Sequence, residues 1–149
     1  MPADSEVTLP HTFRPHGVRV AIAVLGTLLA VVTLVMWFAL PGEIRAKFTA
    51  FQIATVLFFG AAFYAAGYGL ARSRLVARED GVTVVNGYRT RRLEWNEIIA
   101  VTLRAGSPWA ELDLSDGTTV AAMGIQGSDG SRAVRQVRQV RALVERLTH

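Results

Sequence analysis

Two long uncharged runs set the pattern of the first half of the chain. Residues 20–40 (VAIAVLGTLLAVVTLVMWFAL) carry no charge and only Thr27 and Thr33 as polar members. Residues 48–70 (FTAFQIATVLFFGAAFYAAGYGL) are also uncharged. At about 1.5 Å per residue each run makes a helix of roughly 30 Å, the thickness of a hydrocarbon core. A chain of 149 residues leaves too little other protein to bury both on every side, so two membrane spans are predicted. A cleaved signal peptide fits poorly. The first run is longer than a signal h-region, no A-x-A site follows it, and a second run comes directly after. Residues 41–47 (PGEIRAK) alone separate the runs, which predicts a helical hairpin with an external turn. An N-terminal arm, residues 1–19, and a C-terminal domain, residues 71–149, then lie on the same side.

Beyond residue 71 the period changes. Turn signals recur every eight to twelve residues, as in a small all-β domain. Strands are predicted over 74–78, 82–85, 90–93, 99–104, 109–114 and 118–122, with Asn86-Gly87 as a tight-turn pair and Trp95 at a corner. Residues 109–114 (WAELDL) alternate apolar with acidic side chains, the period of a strand with one buried face. A loop over 124–130 leads into a helix over 131–147. Ala133, Val137, Val140, Val144 and Leu147 share one face of that helix, and Asp129 or Ser131 is placed to cap it. The expected architecture is a membrane α-helical hairpin followed by a small all-β barrel, closed on itself and plugged by one C-terminal α-helix.

Composition agrees with a membrane protein. Hydrophobic residues make up 51% and charged residues 19%, against about 25% charged in an average soluble domain. Cysteine is absent, which excludes disulfide scaffolds, thiol nucleophiles and cysteine-ligated metals. Fifteen of the sixteen basic residues are arginine. Arg14 and Arg19 precede the first run, and Arg72, Arg74 and Arg78 follow the second, while the turn holds Arg45 and Lys47 beside Glu43. By the positive-inside rule both termini are expected in the cytoplasm, in a multi-pass protein of the inner (plasma) membrane. Ala61, Ala65 and Gly69 in the second run are spaced by four, Gly26 and Ala30 in the first match Ala65 and Ala61 by depth, and these small residues are expected to let the helices pack closely.

The stretches EDGVTVVNGYRTRRLEWNEI and GSPWAELDLSDGTTV, followed by the Ile125-Gln126 loop and the arginine-rich helix, resemble the bacterial PH-like domain family, of the actinobacterial low-molecular-weight antigen type. The resemblance rests on the ordered set of Trp95, Trp109 and Asp116-Gly117 and covers about residues 71–147, half of the chain. It implies a pleckstrin-homology-like fold and a non-enzymatic binding or scaffolding role.

Little in the sequence suggests catalysis. His11, His16 and His149 stand near the termini, and no HExxH, GxSxG, P-loop or dinucleotide fingerprint occurs. Glu111 and Asp113 share a strand face, and Glu94 and Glu97 flank Trp95; both pairs read as surface or turn charges. His11 and His16 lack a third ligand for a metal, and no cofactor is expected. The arginines are the one chemical concentration. Arg72, Arg74, Arg89, Arg91 and Arg92 are candidate ligands for anionic lipid headgroups, because arginine donates two parallel hydrogen bonds to phosphate. Trp109 and Pro108, an aromatic beside an irregular loop, are the candidate protein contact. Nucleic acid is not an expected partner: from residue 71 twelve arginines face nine acidic residues, a net of +3. The sequence thus predicts a membrane-anchored module that binds a membrane-protein partner, with anionic lipid as a second ligand and a homo-oligomer as one form. The alternative is an accessory subunit of a larger integral-membrane complex.

Overall fold

A computed structural model describes residues 6–148. It contains a strand β1 (His11–Phe13), a long helix α1 (His16–Ala39), a short helix α2 (Gly42–Arg45) and a second long helix α3 (Ala50–Arg72). Six strands follow: β2 (Arg74–Arg78), β3 (Gly81–Asn86), β4 (Arg89–Leu93), β5 (Ile98–Thr102), β6 (Trp109–Leu114) and β7 (Thr119–Gln126). Helix α4 (Ser131–Leu147) ends the described chain.

Both long helices are apolar enough to cross a bilayer, and almost none of either is buried in the protein (0% and 6% of their most apolar stretches). A core helix of a soluble domain would be covered. Thr49 starts α3 with a capping box: its hydroxyl accepts from the Gln52 amide at 3.2 Å, and the Gln52 side chain accepts from the Thr49 amide at 3.0 Å. At the turn, Trp37 meets Phe48 edge to face, 5.4 Å between centroids.

The strands make two antiparallel sheets, ordered β1-β2-β3-β4 and β5-β6-β7. The single closed barrel expected from the sequence is therefore corrected to two packed sheets. Closure by main-chain pairing is replaced by side chains and by α4. The Asn86 amide donates to the Ala121 carbonyl at 2.6 Å, and its oxygen accepts from the Met123 amide at 3.0 Å, joining β3 to β7. Arg141 on α4 donates from Nε to the Val101 carbonyl at 2.7 Å, satisfying an acceptor on β5. β7 crosses β2 so tightly at Gly124 that a Cβ there would stand 2.6 Å from the Leu75 amide nitrogen. Between the layers lie Leu75, Val82, Val84, Trp95, Ile98, Leu112, Ile125, Val137, Val140 and Leu143, all nearly inaccessible.

β1 is the second departure from the sequence reading. It pairs with β2, His11 opposite Ala77 and Phe13 opposite Leu75, and Phe13 is completely buried in the core. The N-terminal segment is not a free arm. It supplies the first strand of the four-stranded sheet, and the helical hairpin is an insertion between strands one and two. Helix α1 accordingly starts at His16, four residues before the first apolar run.

Candidate functional site

The register fixes which end of the sheet meets the hairpin. α3 ends at Arg72 and β2 begins at Arg74. β2 leads away from the hairpin, β3 returns and β4 leads away again, so the β3–β4 turn lies back at the base of α3. Ser73 clamps that junction. Its hydroxyl donates to the Gly69 carbonyl at 3.1 Å and accepts from the Gly87 amide at 2.9 Å. Tyr88, at the turn, lays its ring on Gly69, where a Cβ would fall 2.8 Å from the ring edge. Its hydroxyl donates to the Ala65 carbonyl at 2.5 Å. The Arg72 guanidinium lies 5.5 Å from the Tyr88 ring centre and 5.9 Å from that of Tyr68.

The other side of the base is also tied. The Asp129 carboxylate accepts from the amides of His16 at 3.0 Å and Gly17 at 2.8 Å, so it caps the first turn of α1. The expectation that Asp129 or Ser131 caps α4 is thereby corrected: α4 starts after Gly130 with no side-chain cap, because Asp129 is engaged with α1. The Gly127 amide donates to the Pro108 carbonyl at 2.9 Å, connecting the loop before Trp109 to the same corner. Pro108 is exposed, and Trp109, opposite Gln126, is half-buried.

The candidate arginines do not form one cluster. Arg89 lies next to Tyr88, at the hairpin end of β4, and Arg92 three residues farther, about 10 Å along a strand. Arg89 and Arg91 pair with Asn86 and Val84 and share the inward-facing side, whereas Arg92 pairs with Thr83 on the other side. Arg89 and Arg91 border a cleft of about 470 Å³ whose floor includes Val84 and Val120. Asp116 is near enough to feel Arg91. Its carboxyl is held below the usual range first by the Thr118 hydroxyl and amide and then by the Arg91 charge. Arg74 is half-buried and turns back, its Nη1 donating to the Arg72 carbonyl at 3.4 Å.

The small residues of the hairpin are distributed differently from the expected seam. A Cβ at Gly26 would meet nothing within 4 Å, and Ala30, Ala61 and Ala65 are exposed. The close approach of α1 and α3 is at Gly67, whose added Cβ would lie 3.2 Å from Ile22. Gly69 serves the Tyr88 contact instead. Gly67 and Ile22 stand near the domain end of the hairpin, the same end that Asp129, Ser73 and Tyr88 tie down. Among the acidic pairs, Glu94 and Glu97 cap the turn at Trp95, with the Glu94 amide donating to Glu97 at 2.6 Å, and Asp113 accepts from the Thr119 hydroxyl at 3.0 Å. These contacts give them structural roles. Tyr88, Ser73, Asn86 and Asp129 were not singled out as site residues by sequence reasoning. An aromatic directly after an Asn-Gly turn was the only local signal for Tyr88.

Four strands packed on three with a C-terminal helix define a PH-like fold. Residues 72–143, just under half of the chain, match the family model for the bacterial PH domain, and this segment is a domain of that type. β1 lies outside the match, beyond the hairpin. Uncharacterized proteins of Mycobacterium bovis and Mycobacterium tuberculosis are 39% identical to the chain over 56 residues, which is 38% of this chain and 36% of each relative. The aligned stretch thus spans about a third of those relatives. No solved structure matches the chain. The family points to a binding or scaffolding role and is typically non-catalytic.

Proposed function

We propose that the chain is a membrane-anchored PH-type module that presents its domain at a fixed orientation on the cytoplasmic face and there engages a membrane-protein partner, with anionic lipid as a second ligand. The observation that carries this reading is the insertion of the hairpin between β1 and β2. A domain appended through one linker can swing; here both helix ends run directly into paired strands, and Asp129, Ser73 and Tyr88 fasten them. Trp109 and Pro108 are proposed as protein contacts, and Arg72, Arg74 and Arg89 as the arginines near headgroups. Arg91 and Arg92 stand farther along β4 and are better placed toward the cytoplasm.

The test is site-specific photo-crosslinking in cells from Pro108 and, as a control, from Glu79, on the far β2–β3 turn. A discrete membrane-protein adduct from Pro108 alone is expected; no adduct, or equal adducts from both, removes the proposed surface. The exposed flanks of both long helices favour the second reading, an accessory subunit whose spans pack on others. Native mass measurement in mild detergent separates the two. A monomer or small homo-oligomer supports the module, and a stable large assembly supports the subunit.

A further inference from the structure

We propose that Arg72, held between Tyr68 and Tyr88 where the β3–β4 turn meets α3, is a specific ligand for the phosphate of a membrane glycerophospholipid, and that Tyr88 seats the turn in the headgroup layer. This deepens the membrane-anchored reading and rests on it. Contacts of Tyr88 and Arg72 converge on the site. Tyr88 is 62% exposed, although its ring presses on Gly69 and its hydroxyl bonds the Ala65 carbonyl. Ala65 lies five residues before the end of the uncharged run, some 7–8 Å along the helix, so the Tyr88 ring reaches from Gly69, at the domain end of the helix, to the outer part of the hydrocarbon layer. An exposed tyrosine fixed at that depth has lipid against its free face, where amphipathic rings are favoured.

Arg72 sits at the end of the same helix with both rings around its guanidinium. Tyr64 stacks with Tyr68, ring centres 6.2 Å apart and planes 16° apart. Cation–π contact fixes the guanidinium through its charge and consumes none of its N–H donors. A guanidinium held in place with free donors, on the water side of an interface, is suited to a phosphodiester oxygen pair. The Arg74 side chain, folded back on the Arg72 carbonyl, adds a second positive charge beside it.

The full chain in mild detergent, supplied with phosphatidylglycerol, is to be examined by native mass measurement of retained lipid. One retained phosphatidylglycerol per chain is expected. Arg72→Gln should weaken retention about tenfold, the scale of one charge-assisted hydrogen bond. Arg72→Lys keeps the positive charge but loses the fork and should weaken it less. Tyr88→Ala should also lose lipid, whereas Arg92→Gln should retain it as the native chain does. Equal loss in Arg92→Gln and Arg72→Gln, or no loss in Arg72→Gln, overturns the proposal. Release of the lipid by millimolar inorganic phosphate would make the ligand free phosphate and overturn the lipid assignment. Thermal unfolding of each variant shows whether the fold is kept; should Arg72→Gln unfold, Arg72→Lys against Arg92→Gln decides. A chain that is extracted from membranes by alkaline carbonate sinks the membrane-anchored reading itself. A carbonate-resistant chain that keeps no lipid overturns only this inference.

Discussion

At the scale of single residues, the polar side chains with the most consequence reach across the sequence. Asn86 was expected inside a tight turn with Gly87. The register instead pairs Asn86 with Arg89, leaving Gly87 and Tyr88 as the turn, with Gly87 at φ 60° as a type II′ turn requires. Asn86 is thereby freed to hold Ala121 and Met123 on β7. A sequence shows that Asn-Gly makes a turn; which of the two occupies the turn depends on what waits for the amide 35 residues on. Asn86→Ala leaves a carbonyl and an amide between the sheets without their partner and should cost about 1–3 kcal/mol. Asn86→Asp keeps the acceptor for Met123 but sets a carboxylate against the Ala121 carbonyl, so it should be at least as damaging at neutral pH. Urea unfolding of the purified full chain in detergent measures both. Asp129 teaches the same lesson, since its local role as a cap was legible and its helix was not. Asp129→Ala should destabilise the chain by about 0.5–2 kcal/mol through α1, and Asp129→Asn, which retains one acceptor, by less.

At the scale of elements, the strands from β2 to β7, α4 and both long helices were readable because each carries its own period. Alternation marks WAELDL, an uncharged run marks each span, and a 3.6-residue stripe marks α4. β1 carried no such mark. Three residues, His-Thr-Phe, are too few to show a period, and the strand becomes one only by pairing with β2 across the whole hairpin. The strand and helix pattern of residues 71–149 does not by itself hold the whole core. With Phe13 completely buried, that fragment lacks a core side chain and leaves β2 as an open edge. Phe13→Ala in the full chain should cost about 3–5 kcal/mol. The fragment should be aggregation-prone or melt well below a chimera in which residues 7–14 are joined to it by a flexible linker in place of the hairpin. A fragment melting as cooperatively and as high as the chimera would show β1 to be dispensable.

At the scale of the molecule, the insertion couples topology to folding. β1 and β2 belong to one sheet, so the two outer ends of the hairpin must emerge on one side before the domain can close. The charge pattern then says which side. Arg14, Arg19, Arg72, Arg74 and Arg78 flank the domain ends of the helices, against Arg45 and Lys47, partly offset by Glu43, at the turn. The margin predicts a cytoplasmic domain. Since the chain has no cysteine, single cysteines report position without background. Glu43→Cys in the turn should react with an impermeant thiol reagent on intact cells, and Thr148→Cys, just past α4, should react only after permeabilisation. The reverse pattern would put the domain outside and remove the cytoplasmic reading. Moving charge tests the cause. Replacing Arg72, Arg74 and Arg78 together by glutamine while adding lysines at the turn should weaken or invert the orientation. An inverted chain would still form the β1–β2 pair, because both helix ends would again share a side. Mixed labelling of both cysteines with an undiminished thermal transition is therefore the expected signature: orientation follows charge, and the fold follows the pairing of strands on either side of the hairpin.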